Sequence, residues 1–150
     1  MNIRIKKLNP NAVIPTKGSD KAAGYDLYVC DDRLANGVAM AISPGQNVLL
    51  KTGLAMAIPD GYYGAIYARS GLASKQNLRP ANCVGVVDSD YRGEVMVSLH
   101  NDSMYETRMI NNGDRVAQLI VSPYLSVGFD ETEELDDTER GAGGFGHTGV

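Results

Sequence analysis

Apolar residues recur along the chain in short runs with a period near two, broken every few positions by glycine, proline or aspartate. That is the pattern of strands joined by tight turns. It predicts about ten strands, at residues 3–8, 26–30, 38–42, 47–51, 54–58, 63–68, 84–87, 94–100, 105–110 and 116–121. Pro44-Gly45, Gly53 and Pro59-Asp60-Gly61 supply turn signals between them. In the run at 94–100, Val95, Val97 and Leu99 alternate with Met96, Ser98 and His100, which predicts one buried face. Residues 88–93, between two such runs, read as a hairpin tip. One segment, residues 70–76, is a candidate helix of at most two turns, with Ser70 placed to cap Leu72 and Ala73. The expected fold is all-β, a jelly-roll-like distorted barrel with one short helix.

The pattern stops near residue 128. Between 130 and 139 there are seven carboxylates in ten positions, which favours a solvated linker over a packed element. Residues 140–150 then hold Arg140, Phe145, His147 and a run of glycines. Glycine loses the most freedom on ordering, so this tail reads as a flexible arm that orders on a ligand. The division expected is one domain: a β core over about 1–128, an acidic linker over 129–139 and a glycine-rich arm over 140–150.

Composition narrows the function. At 150 residues the chain is one ordinary domain, and no apolar run approaches the ~20 residues that cross a bilayer. The N-terminus lacks the apolar stretch of a signal peptide, so the expected location is cytoplasmic, away from membranes. A net charge of −4 argues against a general nucleic-acid binder, while leaving room for a small polyanion held by local donors. Cys30 and Cys83 stand too far apart for a metal-ligand spacing and read as two reduced, mostly packed thiols. Asn101-Asp102-Ser103 spells a glycosylation acceptor that a non-secreted chain would not use.

Five segments carry candidate chemistry. Gly141, Gly143 and Gly146 match the dinucleotide fingerprint, but that fingerprint works only between a strand and a helix, and here the chain ends four residues later. Its physics transfers in part: bare glycine amides can wrap phosphate oxygens, Arg140 can add a bidentate contact and Phe145 can lie on a base. Ala68-Arg69-Ser70-Gly71-Leu72-Ala73 joins a strand to the short helix, and reads equally as a phosphate seat or as a capped turn. In the segment from Asn82 to Gly93, Asp88 and Asp90 stand close together beside Tyr91. Two near carboxylates either hold a metal shell or polarise a water, unless they serve only the turn. Asp26, in Ala23-Gly24-Tyr25-Asp26-Leu27, and Gln118, in Gly113-Asp114-Arg115-Val116-Ala117-Gln118, put an acid and an amide on strands.

In order and wording these segments resemble the five motifs of the trimeric dUTP pyrophosphatase family: AGYDL, ARSGLA, NCVGVVDSDYRGE, GDRVAQLIV and RGAGGFGHTG. The stretch 74–81, with Arg79-Pro80, is less typical and leaves that loop's course open. The resemblance implies Mg²⁺-dependent hydrolysis of dUTP to dUMP and pyrophosphate, which keeps uracil out of DNA and supplies dUMP for thymidylate synthesis. It implies a homotrimer whose three sites each draw on three subunits, with the arm closing over substrate. Asp88 would be the catalytic base. Asn82, Gly85, Val86, Val87 and Met96 would surround uracil and Tyr91 the deoxyribose. Arg69, Ser70, Gly71, Gln118, Arg140 and Gly146 would hold the phosphates, and Phe145 would cap the base. Asp26 would touch Mg²⁺ through water, the ion being held mainly by the triphosphate. Two rival readings remain: a dCTP deaminase on a similar fold, which needs an acid beside Asn82 that is not evident, and a binding or regulatory protein that keeps the site without turnover.

Overall fold

Alternation does produce an all-β chain. The computed structural model describes residues 1–144. Its strands, in chain order, are β1 (Arg4–Lys7), β2 (Thr16–Lys17), β3 (Tyr25–Tyr28), β4 (Met40–Ile42), β5 (Asn47–Lys51) and β6 (Leu54–Ala57). They continue as β7 (Tyr62–Tyr67), β8 (Leu78–Pro80), β9 (Gly85–Val87), β10 (Met96–Asn101), β11 (Arg108–Ile110) and β12 (Arg115–Pro123). Among the described residues one α-helix, α1 (Ser70–Gln76), follows β7, and a 3₁₀ segment spans Asp32–Gly37.

The strands form a five-stranded sheet in the order β2-β3-β12-β7-β9, a three-stranded sheet β5-β10-β8, and two pairs, β1-β6 and β11-β4. All pairings are antiparallel. Leu27, Leu50, Leu99, Ala117 and Ile42, from five different strands, are fully buried in one shared core. The predicted buried face holds: Val95, Val97 and Leu99 point inward, while Met96 is exposed and Ser98 and His100 are half-buried.

Three departures have plain causes. The strands β2 and β8 escape a period-two search because they are two and three residues long, and β8 contains Pro80. Proline is tolerated there because β8 is an edge strand. Arg79 then forks onto both oxygens of Asp102, at 2.7 and 3.0 Å, which fixes the course of the atypical loop. The run at 105–110 becomes strand only from Arg108, because the amides of Tyr105 and Glu106 donate to Ser103 Oγ in a turn.

The largest departure concerns residues 84–100. The expected hairpin does not close: β9 pairs with β7, and β10 pairs with β5 and β8. The two arms belong to different sheets, and the gap between them stays open. Cys83, expected to be packed, is exposed at the entrance to this region, whereas Cys30 is buried as expected. Asn101 is fully buried and donates to the carbonyls of Ile42 and Glu106, so its amide is structural.

Among the described residues Asp31 is the one buried acid. The Arg33 guanidinium, together with the backbone amides of Arg33 and Lys51, outweighs its burial and holds its carboxyl low, at about 2. Folding therefore favours the ionised form. That stability is present in full above the unfolded carboxyl's ordinary value of about 3.9 and drains away as the pH falls towards 2. Replacing Asp31→Asn should remove about 2 kcal/mol of this pH dependence. Urea unfolding across that window checks it, and an unchanged slope in the variant would remove Asp31 from the account.

Beyond Pro123 the described residues contain no helix or strand. Tyr124, Leu125, Val127 and Phe129 lie exposed there, Leu125 at 88% and Phe129 at 94%. No described helix is long and apolar enough to cross a membrane.

Candidate active site

At the C-terminal end of β7 the chain leaves the sheet through Ala68 and Arg69 and turns into α1. Antiparallel pairing aligns Gln118 with both Asp26 and Tyr67, which brings three separate segments to one sheet end. Arg69 Nε donates to Asp26 Oδ1 at 2.8 Å, and Arg115 Nη1 donates to Asp26 Oδ2 at 3.0 Å. Gln118 Nε2 donates to the Ala68 carbonyl at 2.9 Å, fixing the residue that precedes Arg69. Gly24 packs tightly here: a Cβ on it would stand 2.4 Å from Gln118 Oε1, so a larger residue would push the Gln118 amide aside. Ser70 does not cap. The helix N-cap is Arg69, without a side-chain bond, so Ser70 is the first helical residue and its hydroxyl is uncommitted to the helix start. A Cβ on Gly71 would meet only open space. This end of the sheet thus presents a cation held rigid by a carboxylate, an exposed hydroxyl and helix amides, a donor set suited to an anion.

The second group lines the gap between β9 and β10. Leu49, Ile66, Asn82, Gly85, Val86, Val87, Asp88, Tyr91 and Met96 are among the walls of a cleft of ≈ 240 Å³. Cys83 takes a left-handed backbone, φ 59, and the Val84 amide turns back onto the Asn82 carbonyl at 2.6 Å. That kink stands Asn82 against Gly85, where an added Cβ would lie 3.2 Å from both Asn82 Nδ2 and Ile66 Cβ. Glycine leaves the amide and the strand backbone room to face the cleft together. Residues 88–93 form a turn instead of an extended tip, closed by the Tyr91 amide on the Asp88 carbonyl. Tyr91 lies over Gly93 and donates its hydroxyl to the Glu94 carbonyl at 3.0 Å, which locks the ring. Asp88 is exposed, and among the described residues its carboxylate has no hydrogen-bond or ion-pair partner.

Asp88 and Arg69 stand apart in one chain. Register sets Val87 against Gly64, so Asp88 lies beyond it at one end of β7, while Arg69 follows the other end. The intervening residues 63–69 span roughly 20 Å at ~3.3 Å per residue. No side chain bridges that. Arg140 is brought to neither group: its Nε donates to the Gly143 carbonyl in a local turn. Phe145 and Gly146 lie outside the described residues.

The profile of the dUTPase family matches residues 10–149. The chain belongs to the dUTPase family. A deoxyuridine 5'-triphosphate nucleotidohydrolase of Nautilia profundicola is 46% identical over 149 residues, covering 99% of each chain. One of Wolinella succinogenes is 47% identical over 149 residues, with 99% of this chain and 95% of the relative covered. Among solved structures, a mutant dUTPase of Staphylococcus bacteriophage 80alpha with dUpNHpp superposes with a TM-score of 0.86 at 27% identity, covering 99% of each chain. A mutant dUTPase from phage phi11 of S. aureus, whose structure concerns a structural Mg(II) ion, gives 0.77 at 25% identity over 89% of this chain and 98% of that one.

Two further residues border the candidate site without having been singled out in the sequence. Arg115 lies in the GDRVAQ segment yet had no expected role; it shares Asp26 with Arg69, and its carbonyl also accepts from Arg69 Nη1 at 3.4 Å. A cation three residues before Gln118 was the available signal. Glu94 borders the cleft, accepts from the Gly53 amide at 2.9 Å and so pins the base of the loop. Its partner is remote in sequence, and no local pattern reveals it.

Proposed function

We propose that this enzyme hydrolyses dUTP to dUMP and pyrophosphate in sites pooled between copies of the chain. The observation that carries the reading is the separation of Asp88 from Arg69 and Ser70 along β7. Both groups belong to motifs of one family, yet one chain holds them about 20 Å apart. A second copy unites them. Exposed Leu125 and Phe129, beyond the last strand, also favour burial against another copy. A homotrimer of jelly-roll-like subunits is the assembly we assign. In it, the core reaches to about residue 128, residues 129–139 act as a linker, and residues 140–150 are the arm that completes the site from a third chain.

In this reading uracil enters the cleft between β9 and β10, where Asn82 and the backbone near Gly85 match its edge. A cytosine amino group would meet a donor, and mispairing of that kind costs ~10⁴–10⁵ in rate. The locked ring of Tyr91 sits beneath the deoxyribose and leaves no space for a 2′-hydroxyl. Val86, Val87 and Met96 border the nucleoside, and Phe145 covers it. Arg69, Ser70, Gly71 and Gln118 of another copy, with Arg140 and Gly146 of the arm, hold the triphosphate. Asp88 takes a proton from the attacking water as oxygen bonds to the α-phosphorus. The α–β bridge breaks, and its electron pair leaves with pyrophosphate, whose charge the guanidiniums and amides take up.

The described residues contain no cluster of three His, Cys, Asp or Glu able to cage a metal. A hard cation held by the triphosphate and its own waters suits this site better than an all-protein cage. Each Asp26 oxygen spends one lone pair on an arginine, at 2.8 and 3.0 Å, and keeps another for a water on such an ion. Mg²⁺ bound there would supply neutralisation of the phosphate charge. A cytoplasmic location, where nucleotide and Mg²⁺ are both available, fits the same reading.

Pyrophosphate release from dUTP with Mg²⁺, and its absence with UTP and dTTP, is the expected result. Equal release from UTP would overturn the role given to Tyr91. Ammonia release from dCTP would favour the deaminase instead, and tight dUTP binding without product would favour the regulator.

A further inference from the structure

The less typical stretch, residues 74–81, holds an arginine that the catalytic reading does not use. Arg79 sits on β8 opposite His100 of β10, and the chain runs from there through Pro80, Ala81 and Asn82 to the cleft between β9 and β10. Its guanidinium acts in two directions. Nε and Nη2 fork onto the Asp102 carboxylate at 2.7 and 3.0 Å. Nη1 turns the other way, donating to the Pro80 carbonyl at 3.3 Å and to Cys83 Sγ at 3.4 Å. The same Pro80 carbonyl accepts the Cys83 amide at 3.2 Å, so one oxygen both closes the turn and receives the arginine. Asp102 is itself fixed just past the end of β10. Its amide donates to the Asn77 carbonyl at 2.8 Å, and His100 Nε2 lies 3.2 Å from its Oδ1.

What this brace holds is a strained turn. Cys83 takes φ 59, a left-handed backbone that a residue with a Cβ adopts only at a cost. Ala81 is tied to β10 by its amide on the Ser98 carbonyl at 2.7 Å, but the amides of Cys83 and Val84 bond inside the kink. Among the described residues, Arg79 supplies the side-chain bonds that connect the kink to the end of β10. Arg79 does not line the cleft, whereas Asn82 does. An ion pair as exposed as Arg79–Asp102 adds little stability, so the fork contributes aim and not strength. Lysine could not replace it, because one ammonium cannot face the carboxylate and the kink together. We propose that Arg79, braced on Asp102, is a positioning residue for base selection: it holds the Asn82-Cys83 kink so that the Asn82 amide keeps its bearing on the base. This role rests on the reading of the cleft as the uracil site and goes beyond it, since none of the five motifs contains Arg79 or Asp102.

Steady-state pyrophosphate release from dUTP and dCTP by the full chain tests it. Arg79→Lys should raise KM for dUTP on the order of tenfold, with kcat within about twofold, because a charged hydrogen bond is lost far from the reacting phosphate. The preference for dUTP over dCTP, as a ratio of kcat/KM, should fall by a similar factor. Lysine keeps a cation beside Asp102, and matching urea unfolding curves check that the fold is retained. Damage to the fold alone would lower kcat on both nucleotides alike and leave the preference where it was. Asp102→Ala should give the same two changes, and the double variant should be no worse than either single one, since both act through one brace. Additive losses would overturn the brace. An unchanged KM and preference in Arg79→Lys would overturn the role, as would a fall in kcat with the preference intact. Asn82→Ala separates this role from the reading beneath it. Where Asn82→Ala lowers the preference and Arg79→Lys does not, the cleft selects the base and only the brace is wrong. Where Asn82→Ala leaves the preference intact, the cleft is not the base site, and the role of Arg79 falls with that reading.

Discussion

Replacing Asp88 with asparagine should leave dUTP binding within a few-fold of wild type and lower kcat by ~10²–10⁴, the usual contribution of a positioned base. The substitution is nearly isosteric. Asp88 is exposed and without a side-chain partner among the described residues, so the fold has no stake in its charge. The turn itself is held elsewhere, by the Tyr91 amide on the Asp88 carbonyl and by Tyr91 Oη on the Glu94 carbonyl. The result therefore reads chemistry and not unfolding. Single-turnover rates alongside equilibrium binding give the split, and undiminished turnover would remove Asp88 from the role of base.

The second large effect is expected from deleting residues 140–150. The last strand ends at Pro123, and the buried core draws on residues up to Leu119, so the truncated chain should fold and assemble as before. Its activity should drop by roughly 10³, the scale on which positioned cations and amides act at a phosphate. Light scattering for the assembly and pyrophosphate release for the activity decide it together. A truncated chain that keeps full turnover would make the arm irrelevant to catalysis. One that loses its assembly would show that the arm serves the interface instead.

How much of this could be read beforehand follows from which interactions are local. Alternation at Val95, Val97 and Leu99 is a property of neighbouring residues, and the burial it predicts is the burial found. The short helix was legible within its bounds, Ser70–Gln76, although its capping was not: Ser70 falls one position inside the helix. Pairing between strands is decided by residues far away, and there local reading failed. Two apolar runs around a turn look like a hairpin, but β9 finds a better partner in β7, where Gly64 leaves room for Val87. The candidate site stands out in the sequence as motifs, whereas its geometry does not. No spacing rule placed Arg115 on Asp26, or Glu94 on the Gly53 amide, because each contact spans dozens of residues.

One feature of β7 reaches beyond the single pocket. The strand borders the cleft between β9 and β10 through Ile66, carries β9 along its edge, and delivers Arg69 from its far end. In a ring of pooled sites, each chain would thereby furnish opposite halves of two different centres. A lesion in this strand would be dominant: when intact and damaged chains mix, working centres fall at least as the square of the intact fraction. Co-assembly with faulty chains would then cost more activity than the share of faulty protein.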